Sequence, residues 1–264
     1  MLHKNISYQN TNINYSIYGI GKPIMLLHGF AEDSSIFDLQ INYLKEKYQL
    51  IVPDLPGIGK SEILQKNDVQ LTDFAAVLKA IVDEEKIKFF TLIGHSMGGY
   101  ITLAYADKYS ETLNGFGLLH SSAYADDDAK ITTRKKAISF IEQNGTAVFL
   151  KTSIPNLFYD IEKSKEDIKS LIEKGEKFDQ TVLIQQYNAM ISRPDTTSIL
   201  KTFKEPILFI IGEHDKAIPF ELSLQQSHLP QIAYVNILRN SAHMGMKEEP
   251  DNINKFLGEF LHAL

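Results

Sequence analysis

Hydrophobic and polar positions alternate along this chain with two different periods. From Ile6 to Tyr18 apolar residues come every second position, with Ile6 and Tyr8 before a polar Gln9-Asn10-Thr11-Asn12 break and Ile13, Tyr15 and Ile17 after it. That period predicts an opening antiparallel hairpin. Six short continuous apolar runs follow: Ile24 to Leu27, Leu50 to Val52, Phe89 to Ile93, Phe116 to Leu119, Ile207 to Ile211 and Ile232 to Leu238. Runs of this kind suit strands buried on both faces, as in a parallel sheet. Helical spacing fills the intervals, as with Phe74-Ala75, Leu78 and Ile81-Val82, and then Ile101 and Ala104-Tyr105. Strand and helix in alternation predict an α/β protein built from right-handed βαβ crossovers around a mostly parallel central sheet.

The rhythm breaks once, between about Ser121 and Lys204, where no strong strand run occurs and the pattern is helical, polar and rich in Lys and Glu. This stretch reads as an inserted helical cap, residues 121–204, on a core made of residues 1–120 and 205–264. Its first helix is expected to start near Asp127 or Asp128, to carry Ile131, Ile138 and Ile141, and to stop at Gly145. Pro155 and the Arg193-Pro194-Asp195 turn divide the remainder. The mixed charge of Lys163 to Lys177 reads as a solvated helix surface.

Composition narrows the function classes. The 264 residues include 27 Lys and Arg against 33 Asp and Glu, for a formal charge of -6, and no Cys. A chain of this length buries a core without staples. Zero Cys excludes disulfides, thiolate metal sites and a Cys nucleophile. An acidic balance offers no footprint for nucleic acid or anionic membranes. No apolar stretch approaches the ~18 residues of a membrane span, and the N-terminus lacks the apolar region of a signal peptide, so the expected location is cytoplasmic.

Four segments carry candidate chemistry. The strongest is Phe89 to Gly99, an apolar run leading into Gly94-His95-Ser96-Met97-Gly98 and then a helical pattern. A serine at a sharp strand-to-helix turn needs small neighbours, and the helix after it aims free N–H groups at the place where an oxyanion would form. The second is Ile24 to Phe30, a run ending in His28-Gly29-Phe30; in a parallel sheet this loop emerges at the same edge as Ser96, so the backbone N–H groups of Phe30 and Met97 are expected to converge on one oxygen. The third is Ile207 to Asp215, with an acid just past the run. The fourth is Ser241-Ala242-His243, after the last run. Together they place Ser96, Asp215 and His243 in the chain order of a Ser, Asp, His triad on an α/β sheet. His28 is expected to pack beneath its loop on backbone groups, His95 to point away from Ser96, His120 to line the pocket, and His214 and His228 to lie on the surface.

With these residues in place the chain resembles the α/β-hydrolase fold superfamily, in particular carboxylesterase-like serine hydrolases with a helical cap. Val52 to Ser61 resembles that superfamily's Asp-x-Pro-Gly-x-Gly-x-Ser stretch, with Ile58 where an aromatic or histidine is usual; His243 with Glu248 or Glu249 and Pro250 resembles its terminal His-x4-Glu-x-Pro segment, with Ser241-Ala242 in place of the commoner glycine. The resemblance implies that Asp54 and Ser61 are turn residues. It also implies that Ser96, not Asp, stands at the nucleophile position, which argues against dehalogenase and epoxide hydrolase chemistry.

A serine requires an electrophile that forms a tetrahedral adduct and an acyl-enzyme. The expected activity is hydrolysis of small-molecule carboxylic esters with small or medium apolar acyl groups, without metal or organic cofactor. Lactone opening, C–C bond hydrolysis and perhydrolysis are alternatives on the same triad, and a ligand receptor that retains the triad is another. Phe30, Met97, His120, Phe149, Leu157, Phe158 and Met190 are the candidates for a mainly apolar pocket. Nothing in the sequence points to an oligomeric state.

Overall fold

The opening alternation forms a hairpin of β1 (Leu2–Tyr8) and β2 (Thr11–Tyr18). It turns at Gln9 and Asn10, both at positive φ (48° and 64°), as the twist of a two-residue hairpin requires. In the computed structural model, which describes residues 1–264, the six apolar runs are β3 (Lys22–Leu27), β4 (Tyr48–Pro53), β5 (Phe90–His95), β6 (Leu113–Leu119), β7 (Ile207–Gly212) and β8 (Ala233–Leu238). One sheet results, in the order β1-β2-β4-β3-β5-β6-β7-β8. β2 pairs antiparallel with β1 and β4, and every pair from β4 to β8 is parallel. The carboxyl ends of the six parallel strands therefore share one edge.

β3 to β7 are buried on both faces along most of their length, as their continuous apolar runs require. β8 differs. Ala233, Val235 and Ile237 are exposed, because β8 is the edge strand and only one of its faces meets the core.

Three helices connect the first strands: α1 (Asp38–Leu44), α2 (Leu71–Glu84) and α3 (Met97–Tyr109). α2 buries Phe74, Ala75, Leu78, Ile81 and Val82 along one stripe, and its N-terminus is closed by a reciprocal pair in which Gln70 and Asp73 satisfy each other's backbone N–H. α3 is buried almost all round, since it follows the nucleophile candidate directly and lies inside the molecule.

No strand interrupts residues 120–206. This segment holds α4 (Asp128–Ser153), α5 (Lys165–Gly175), α6 (Gln180–Ile191) and α7 (Thr197–Thr202). Asp127 caps α4 by accepting from Lys130 N at 2.7 Å. The expected stop at Gly145 is a break: its φ of 80° and ψ of 165° leave the helical region, and a second helical stretch resumes beyond it to Ser153. The chain closes with α8 (Phe220–Ser227), α9 (Gly245–Glu248) and α10 (Pro250–Ala263), the last burying Ile253, Leu257, Phe260 and Leu261 against the sheet side. No helix is long and apolar enough to cross a membrane.

Candidate active site

At the end of β5 the chain must turn at once into α3, and Ser96 makes that turn with φ 50° and ψ -117°. A non-glycine residue held there stores about 1–3 kcal/mol of strain, so its neighbours must hold it. Ser96 N donates to Leu119 O at 2.9 Å, and Ser121 Oγ donates to Ser96 O at 2.7 Å. The flanking glycines are required by space: a Cβ on Gly94 would fall on the Gly98 carbonyl, and one on Gly98 would fall on Leu27 O and His28 O. The first turn of α3 thus abuts the end of β3.

His243 and Asp215 reach the same point from the ends of β8 and β7. Ser96 Oγ lies 2.8 Å from His243 Nε2, and His243 Nδ1 lies 2.8 Å from Asp215 Oδ2. The carboxylate can only accept, so Nδ1 carries the proton and Nε2 is left to accept from the Ser96 hydroxyl. Asp215 is 6% exposed, and its other oxygen accepts from Ala217 N at 2.8 Å and Ile218 N at 2.9 Å. Burial favours its neutral form, but His243, with His120 beside it, holds the carboxyl far below the usual range. The His243 loop is itself tied down: Glu249 Oε2 accepts from Asn240 N and Ser241 Oγ, Glu248 Oε2 accepts from Ala242 N, and His243 N donates to Leu157 O at 2.9 Å.

Phe30 follows β3, and Met97 is the first residue of α3. Neither main-chain N–H has an acceptor elsewhere in the chain. Gly29 brings the two loops together, since a Cβ there would stand 3.1 Å from Ser96 Cβ and from His95 O.

Ser96 and His243 open onto a cavity of about 630 Å³, half of whose 22 lining residues are hydrophobic. Of the side chains expected there, the structure brings in Phe30, Leu157 and Met190. It does not bring in the others. Phe149 packs behind Phe30, ring centroids 6.3 Å apart. Phe158 faces a different surface hollow beside Tyr159, and Met97 is fully buried in the core. His120 is 1% exposed with φ 48°, its Nδ1 3.5 Å from Asp215 Oδ2; it sits behind the site, and burial pushes it down to about 4, so it is neutral at neutral pH. Most of the lining surface is apolar, as expected, but Tyr100, Tyr187, Lys130, Arg134 and Arg193 also reach it.

A family model described as alpha/beta hydrolase fold matches residues 22–136. The chain has the α/β-hydrolase fold. A pimeloyl-(acyl-carrier protein) methyl ester esterase of Legionella pneumophila (strain Corby) is 28% identical to it over 260 residues, covering 95% of this chain and 99% of that one. An esterase from Exiguobacterium antarcticum shares the fold with a TM-score of 0.91 at 21% identity, over 99% of this chain and 100% of that one. An enol-lactonase from Burkholderia xenovorans does so with a TM-score of 0.90 at 20% identity, over 98% and 100%.

Beneath the turn at Ser96 lies a charged pair that sequence reasoning missed. Glu32, 6% exposed, accepts from Gly29 N at 2.7 Å and from His95 Nδ1 at 3.0 Å, while His95 Nε2 donates to His243 O at 2.9 Å. Both ring nitrogens face acceptors, so His95 is held as an imidazolium. Burial opposes both charges, yet each partner outweighs it: His95 titrates above the ordinary histidine value and Glu32 below the ordinary carboxylate value. The pair braces the loop of Phe30, the Ser96 turn and the His243 backbone at once.

The remaining residues fall as the pattern of the chain suggests. His28 is buried, with Nδ1 donating to Gly29 O and Nε2 accepting from Leu55 N, both at 2.9 Å. Asp54 accepts from Ser34 N at 3.0 Å, and Ser61 Oγ donates to Asp54 O at 2.8 Å, so both belong to the loop after β4. His228 is exposed, and His214 is half-buried, stacked on Tyr159 at 3.9 Å. His120, Asp215 and His243 are the one group whose metal-ligating atoms cluster, all within 4.8 Å, and the His243–Asp215 hydrogen bond accounts for much of that closeness.

Proposed function

We propose that the chain is a serine hydrolase of small-molecule carboxylic esters that works through an acyl-enzyme on Ser96. The observation that carries this reading is the unbroken line from Ser96 Oγ through the imidazole of His243 to Asp215, with 2.8 Å at each step. Ser96 attacks the ester carbonyl while His243 Nε2 takes its proton; the imidazolium then gives that proton to the leaving alcohol. Water repeats the sequence on the acyl-enzyme and frees the acid. Asp215 fixes the tautomer of His243 and stabilises its charged form.

The N–H groups of Phe30 and Met97 receive the oxyanion. Donors fixed in place before charge develops are worth several kcal/mol in such a step. Residues 121–204 act as the cap that closes the pocket. Phe30, Leu157 and Met190 supply apolar contact for a small or medium acyl chain, and a cavity of about 630 Å³ is of the size that holds a small ligand. Lactone opening needs no residue beyond these, and the fold neighbour described as an enol-lactonase makes lactones the natural second substrate class.

The test is a rate survey over p-nitrophenyl esters of increasing acyl length, with lactones and a peroxide-dependent assay beside it. Ester turnover that peaks at short or medium chains and vanishes in Ser96→Ala is the expected result. Turnover only with lactones or only with peroxide would replace the ester assignment.

A further inference from the structure

Four basic side chains line the cavity that contains Ser96: Lys130 and Arg134 from α4, Arg193 after α6 and Lys216 after β7. Fewer carboxylates answer them. Asp126, with its side chain wholly buried, takes Arg134 Nε on Oδ2 at 2.6 Å and stands 2.8 Å from Arg193 Nη1, with Lys130 Nζ at 4.0 Å. Asp127 is committed to the N-terminus of α4, and Glu32 to Gly29 and His95. Lys216 has no ion-pair partner.

The cations are not equally satisfied. Arg193 donates to Met190 O and Tyr124 O and lies 3.9 Å over the ring of Tyr100, one helical turn beyond Ser96. Arg134 spends Nη1 on the Met190 sulfur, a weak acceptor, at 3.3 Å, and its Nη2 has no partner although the side chain is only 13% exposed. Its guanidinium stands 5.7 Å over Tyr187, whose ring is 4.2 Å from that of Phe30. Lys130 Nζ donates to Ala217 O alone. A positive excess in a half-closed cavity is costly unless an anion enters with the ligand.

We propose that Arg134 and Lys130 form an anion subsite, so that the ester this site takes carries a carboxylate at the far end of its acyl chain. The proposal rests on the ester-hydrolase reading above and specifies its substrate class. Arg134 offers the planar donor fork that matches a carboxylate, and Lys130 adds a point charge beside it. The apolar side chains that line the same cavity, Phe30, Leu157 and Met190 among them, suit the methylenes that join the two ends of such a half-ester.

The test compares monomethyl adipate with methyl hexanoate, which differ only in the terminal carboxylate. The kcat/KM for the half-ester should be about tenfold or more the higher, the size of a charge-assisted hydrogen bond. Arg134→Gln should bring the ratio towards one, and Lys130→Gln, which leaves the Arg134–Asp126 pair whole, should lower it several-fold. Calorimetry on the Ser96→Ala protein reads the subsite without chemistry: adipate should bind more tightly than hexanoate, and Arg134→Gln or Lys130→Gln should narrow the difference. Equal rates together with equal binding would overturn the subsite, as would a preference that survives both substitutions. Tighter adipate binding in a protein that cleaves neither ester would support the subsite and overturn the ester reading instead.

Discussion

Ser96 is held at φ 50° by hydrogen bonds from β6 and its loop and by two glycines that no larger residue can replace. Ser96→Ala should remove ~10³-fold or more of the rate while leaving the fold intact. Asp215→Asn keeps the shape but turns a donor towards His243 Nδ1, favouring the wrong tautomer, and should cost on the order of 10³ to 10⁴-fold in kcat. Asp54→Asn is its control: Asp54 holds a turn, so thermal stability should fall and kcat should not. Because a protonated His243 cannot accept from Ser96, kcat/KM should fall on the acid side along one ionisation, read from a pH–rate profile. Ser96, Asp215 and His243 could be picked out in the sequence because each follows an apolar run, and the structure brings the three within hydrogen-bond distance. His120 follows such a run as well, yet a strand end says where a residue emerges and not which way its side chain turns. Glu32 left no signal, since a single acid in a loop has no period.

At the scale of elements, the Glu32–His95 pair joins the loop after β3 to the end of β5. Glu32→Gln breaks a buried ion pair and should cost about 3 kcal/mol or more of stability. The cost should vary with pH in a defined way. His95 is raised above 6.5 in the folded protein, so its contribution is whole below that value and is lost as pH climbs through the folded value; Glu32 is lowered below 4.5, so its contribution is whole above that value and is lost as pH falls. The difference in Tm between wild type and Glu32→Gln should therefore be largest near pH 5 to 6 and shrink in alkali. Gly145 tests the break in α4: a Cβ there meets nothing within 4 Å, so Gly145→Ala should lower stability by about 1 kcal/mol through backbone strain alone. Strands were the most legible elements, because a run buried on both faces is continuously apolar. β8 was read as one of these, and its place at the edge depends on strand order, which no local pattern records.

Across the whole molecule, one sheet edge gathers residues 96, 215 and 243 from strand ends far apart in sequence, and residues of the 120–206 segment line the cavity onto which Ser96 and His243 open. Contact between the two parts reaches the site itself, where His243 N donates to Leu157 O. The helical segment was visible as an interruption of the strand rhythm, but its packing was not: Arg134, Arg193 and Asp126 meet only through the fold, and amphipathic spacing does not say which helix a face meets. The central claim is that Ser96 is the nucleophile of an acyl-enzyme. Incubation with a fluorophosphonate probe followed by peptide mass spectrometry tests it most directly. One adduct on Ser96, with labelling strongly slowed in His243→Ala, is the predicted result; an adduct on Ser61, Ser121 or Ser122, or an unlabelled protein that still hydrolyses esters, would contradict it.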